Sequence, residues 1–127
     1  MRPNKIILHK RNAQLELSYP NEENYVLSAE FLRVLSPSAE VRGHGPGQEI
    51  LQTGKRLVTI DNVESVGNYA IKLIVSDKHN TGIYSWTYLL ELARNQEQLW
   101  STYLEKLARA KRSREPLPPD TQVINIT

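Results

Sequence analysis

The sequence predicts an α+β fold, mainly an antiparallel β-sheet packed by a C-terminal helical segment. Two patterns carry this reading: apolar residues alternate with a period of two in segments such as 13–19 and 68–76, and from Trp86 they recur at steps of three and four. The length of 127 residues is near the usual size of one domain, enough to bury a core without disulfides or metal as staples. Residues 1–112 are expected to form that domain, and residues 113–127 a flexible C-terminal tail.

Residues 5–9 and 13–19 read as a hairpin, because Leu15, Leu17 and Tyr19 alternate with Glu16 and Ser18. Tyr25, Val26 and Leu27 give a short third strand. Ser28 then caps a helical turn over Ala29 to Leu35, which Pro37 ends. Residues 36–55 contain Gly43, Gly45, Gly47 and Gly54 with two prolines and little apolar periodicity, so a long loop is expected.

Leu57 to Ile60 resume a strand pattern, followed by a turn at Asp61-Asn62. The clearest strand covers 68–76, where Tyr69, Ile71, Leu73 and Val75 share one face; it is expected to be central. Helical spacing runs from Trp86 through Leu89, Leu90 and Ala93 to Trp100, Tyr103 and Leu107, with Asn95 as a break between two helices. Prolines 116, 118 and 119 mark the start of an untethered tail from Ser113.

Composition excludes several chemistries. Cysteine is absent, which removes disulfides, thiolate nucleophiles and all-cysteine metal sites. No apolar run is long enough to cross a membrane or serve as a secretory signal, so the chain is expected in the cytoplasm with no membrane partner. A net charge of +2 gives no ground for a nucleic-acid partner.

Motif tests are mostly negative. The run Gly43-His44-Gly45-Pro46-Gly47 is followed by Gln48, and Gly54-Lys55 by Arg56, so neither a dinucleotide fingerprint nor a phosphate loop is met. There is no Gly-x-Ser-x-Gly elbow, and no histidine has a carboxylate two positions later. The cations Lys106, Arg109, Lys111, Arg112 and Arg114 suit the negative end of a helix dipole, or an acidic partner. The segment from Val66 to Trp86 reads as a strand, a polar turn and an aromatic entry into a helix. Asp77 suits an Asx turn and Gly82 a positive φ. His79 is then either a plain turn residue or part of a site in which Asp77, His79, Tyr84 and Trp86 converge where sheet meets helix.

That segment, with Ala29-Glu30-Phe31-Leu32-Arg33 and Ser36-Pro37-Ser38-Ala39-Glu40, resembles the γ-butyrobetaine hydroxylase-like N-terminal domain family from about Pro3 to Leu107. The family is one of unknown function. Its domain is similar to the N-terminal part of γ-butyrobetaine and trimethyllysine hydroxylases, and is also found fused to P-loop scaffold ATPases of iron–sulfur assembly. In the hydroxylases three cysteines and one histidine hold zinc. Those positions fall on Ser36, Ser38, Val41 and His79, of which only the histidine is retained. A hydroxyl or a valine cannot replace a thiolate, so no metal ligand set and no cofactor are expected. The catalytic iron domain of the hydroxylases has no counterpart in these residues.

The resemblance therefore implies a non-enzymatic accessory or interaction module with a protein partner, in an iron–sulfur or iron-dependent system. The alternative is a metal- or small-ligand-binding domain centred on His79 with His44. Either way the expected surface is Asp77, His79, Tyr84 and Trp86, with the glycine-rich loop and His44 above them.

Overall fold

A computed structural model describes residues 1–43, 45–80, 82–118, 122 and 124. Strands β1 (Lys5–His9), β2 (Gln14–Ser18) and β3 (Asn24–Ser28) form one antiparallel sheet in sequence order. Strands β4 (Ile60–Val66), β5 (Ala70–Val75) and β6 (Ile83–Ser85) form a second. Helices α1 (Ala29–Val34) and α2 (Ala39–Arg42) lie between them in the chain, and α3 (Trp86–Arg94) and α4 (Gln96–Ala110) follow. The fold is thus α+β, with its strands in two sheets of three.

Local chemistry sets the boundaries. Ser28 Oγ accepts the Phe31 N–H at 3.0 Å and starts α1, and Ser85 Oγ accepts the Tyr88 N–H at 3.1 Å and starts α3. Asn95 ends α3, its side chain donating to the Glu91 carbonyl at 2.8 Å, and α4 begins at the next residue. In β2 only Leu15 and Leu17 are buried, the period-two pattern of a strand with one face inward. β5 is the middle strand of its sheet and buries Ala70, Ile71, Leu73 and Val75.

Four local expectations are corrected. Asp61 and Asn62 lie within β4, where the register with β5 shifts between Ile60 and Asn62; a bulge absorbs the polar pair without a reversal. The reversal comes instead at 67–69, with Gly67 at φ 53°, which leaves Tyr69 exposed and off the buried face of β5. Ile83 to Ser85, read as part of a turn, form the edge strand β6. The 36–55 loop contains α2, one turn that buries Val41.

The core joins both sheets and α1 and α3 through Leu15, Leu17, Leu32, Leu73, Tyr84 and Leu89. A smaller cluster of Val34, Tyr103 and Leu107 packs α4 against the end of α1. The tail, expected to be untethered from Ser113, is held at its start. Gly54 and Arg56 donate backbone hydrogen bonds to the carbonyls of Ser113 and Arg114, both at 3.0 Å. Arg114 also makes a bidentate pair with buried Glu30 and lies 5.0 Å from the centroid of the Trp100 ring.

Candidate functional site

Two neighbouring features form the site, a buried polar cluster and an open groove that share Ser36. The cluster begins at the end of β5. Asp77 Oδ1 accepts the His79 N–H at 3.4 Å, the Asx turn that reverses the chain. Its Oδ2 accepts from Arg33 Nε of α1 at 2.8 Å and from Lys55 Nζ at 2.6 Å. Burial alone would raise the carboxyl pKa, but the hydrogen bonds from Lys55 and Arg33 outweigh it and hold Asp77 below its ordinary value. Asp77 therefore fastens α1 and the end of the glycine-rich loop to the turn.

His79 is 5% exposed. Its Nδ1 lies 2.9 Å from Glu40 Oε2 of α2. A carboxylate can only accept, so Nδ1 carries the proton and Nε2 is the acceptor. Ser36 Oγ lies 2.7 Å from that Nε2 and Ser38 Oγ 3.2 Å from it. Both hydroxyls can donate, so both ring nitrogens are occupied. Burial first, and Arg33 second, push the imidazole pKa below its ordinary value against the opposing pull of Glu40.

Tyr84 closes the cluster from β6. It is buried, and its hydroxyl donates to the Leu32 carbonyl. Gly82 lets the turn approach, since a Cβ there would stand 2.9 Å from Ser36 Oγ and 3.0 Å from the Tyr84 ring. Close approach, not a positive φ, is what this glycine supplies.

Of the residues expected to converge, the structure brings together Asp77, His79 and Tyr84. Trp86 is elsewhere: its Nε1 donates to the Asn68 carbonyl at 2.7 Å, and its N–H bonds Tyr69, at the start of β5. The length of β5, roughly 20 Å at the usual rise, separates it from Asp77. His44 lies outside the described residues.

The zinc positions of the resemblance can be tested on this geometry. Ser36 and Ser38 do meet His79, but as hydrogen-bond partners, and Val41 supplies a buried apolar side chain with no donor atom. Among the described residues no cluster of three or more His, Cys, Asp or Glu is arranged to hold a metal ion. The residues present do not fit a thiolate zinc site.

On the other side of Ser36 lies the groove, a cleft of about 810 Å³ between residues 42–43 and 45–52 on one side and helices α3 and α4 on the other. Val34, Leu35, Leu51 and Leu99 supply an apolar lining. Tyr88 and Tyr103 present their rings, because their hydroxyls donate to the carbonyls of Leu35 at 2.6 Å and Gln52 at 2.8 Å. The glycine-rich part of the loop thus faces α3 and α4, while Ser36, Ser38, Glu40 and Lys55 of the same 36–55 segment meet Asp77 and His79 in the turn. Sequence reasoning missed this groove. On the helices its trace was Leu99 and Tyr103, whose spacing reads as core, and Lys106, which reads as a cation at the helix end.

A small α+β domain with a hydrogen-bonded histidine cluster and an adjoining apolar groove defines the class. The chain belongs to the family described as gamma-butyrobetaine hydroxylase-like, N-terminal, whose family model matches residues 6–90. It is similar to two proteins with NMR solution structures. One is 46% identical with a TM-score of 0.80 over 98% of both chains. The other is 48% identical with a TM-score of 0.77 over 99% of this chain and 93% of its own. A crystal structure of a protein of unknown function from Acidithiobacillus ferrooxidans, of the DUF971 family, is 35% identical with a TM-score of 0.61. It covers 72% of this chain and 92% of its own. No curated protein matches the chain. The family is one of unknown function, and the matched region is not the catalytic part of a hydroxylase. Among the described residues no helix is long and apolar enough to cross a membrane.

Proposed function

We propose that the chain is a non-enzymatic accessory module that binds a partner protein through the groove between residues 45–52 and helices α3 and α4. The observation that carries this reading is the groove itself: an open apolar lining, beside a polar cluster in which Asp77 and His79 already have partners. Exposed apolar concavities of this kind are where recognition energy is found. Asp77 is neutralised by two cations and His79 is buried with both nitrogens engaged, so neither is poised as a free acid, base or nucleophile.

The cluster has a supporting role in this reading. Glu40 and Arg42 both belong to α2, so the Glu40–His79 bond holds the helix that forms one wall of the groove. A metal or small ligand at His79, the alternative reading, would first have to displace Ser36, Ser38 and Glu40. Family resemblance is the sole ground for an iron–sulfur or iron-dependent system, which is where the partner is to be sought first.

The test is to recover proteins from the native extract on the immobilised chain, then add the purified candidate to the ¹⁵N-labelled chain and follow amide shifts. The reading expects shifts confined to residues 42–52 and 99–106. Shifts centred on the β1–β3 sheet, with none in the groove, would overturn it.

A further inference from the structure

The charges around the groove identify the kind of segment it takes. On one wall the Arg42 guanidinium lies over the Tyr88 ring, 4.7 Å from its centroid, and on the other stands Lys106, exposed on α4. Among the described residues neither cation has a carboxylate within ion-pair distance. Among the described residues Glu49 is the acid that lines the groove; the Gly47 N–H donates to it at 3.3 Å, and it lies within the field of Lys106 without forming an ion pair. The groove is therefore apolar at its floor, with a cation on each of two facing walls.

We propose that the groove takes an acidic amphipathic peptide segment of the partner, a few apolar side chains seated on Val34, Leu35, Leu51 and Leu99, with flanking carboxylates meeting Arg42 and Lys106. The proposal rests on the groove being the partner surface, and it adds the chemistry of the occupant. Apolar anchors in such a trough supply most of the affinity, while opposite charges at the rim set orientation and association rate. A basic segment would bring like charges to Arg42 and Lys106 and be rejected. Leu99 to Lys106 covers roughly 10 Å of helix axis at the usual rise, room for about two turns of a helix or a short extended strand.

The experiment selects phage-displayed random dodecapeptides on the immobilised full chain, and then titrates the enriched consensus peptide into the ¹⁵N-labelled protein. Enriched peptides should carry acidic residues beside Leu, Ile or Phe and shift amides at 42–52 and 99–106. Arg42→Glu with Lys106→Glu should weaken the consensus peptide at least about tenfold, more at low salt than at high, with the melting temperature kept. Groove-binding peptides without net negative charge, or full affinity in the doubly reversed variant, would overturn the acidic-segment proposal and leave the groove reading standing. No enriched peptide, or shifts away from the groove, would overturn both.

Discussion

His79 Nε2 lies 2.7 Å from Ser36 Oγ, which fastens the turn after β5 to the segment between α1 and α2 across 43 positions of sequence. Glu40 holds the other ring nitrogen. His79→Ala would leave Ser36 and Ser38 without this partner in a closed site, so a loss of about 1–3 kcal/mol is expected in urea denaturation. An unchanged midpoint and slope would show that the cluster contributes nothing to the fold.

The same cluster gives a pH dependence. The folded pKa of His79 lies below its ordinary 6.5, so the unfolded chain takes up a proton first. This contribution to stability is complete above about 6.5 and is lost as pH falls through the folded value. Asp77 has the same sign but acts lower, below its ordinary 3.8. Stability measured from pH 7.5 down to 4.5 should fall more in the native chain than in His79→Gln. Parallel profiles would contradict a neutral buried imidazole.

Arg114 makes a bidentate pair with Glu30, which is 6% exposed, and lies over Trp100. Removing it would leave a carboxylate buried without its cation. Arg114→Ala should cost about 2 kcal/mol, the figure for a buried pair reduced because the arginine is partly exposed. The reading of residues from Ser113 onward as a free tail predicts no loss, and thermal melts separate the two.

Periodicity carried much of the fold. The alternation of Leu15 and Leu17, the middle position of β5, the Ser28 cap and the break at Asn95 were all legible, because each follows from local spacing or capping chemistry. Edge strand β6 was not, since Ile83 to Ser85 are too few to show a period and pair only through β5. Asp61-Asn62 read as a turn because polar pairs usually are; the bulge that accommodates them depends on the facing strand. For the site, the meeting of Ser36, Ser38 and His79 was visible only through the family resemblance. Trp86 was misplaced because adjacency in sequence does not show that the Tyr84 hydroxyl reaches the Leu32 carbonyl while the Trp86 ring turns back to the Asn68 carbonyl. The anchoring of Ser113 and Arg114 depends on Gly54, Arg56, Glu30 and Trp100, all but Trp100 distant in sequence, and no local signal announces it.

The central claim is that the groove is the partner surface, and filling it tests that most directly. Thr102 is exposed and lines the groove, so Thr102→Trp should occupy it while changing stability by no more than about 0.5 kcal/mol. Calorimetric titration with the recovered partner should show affinity reduced by at least about tenfold in this variant, with the melting temperature preserved. Full affinity in a stable Thr102→Trp protein would contradict the account and place the partner elsewhere on the chain.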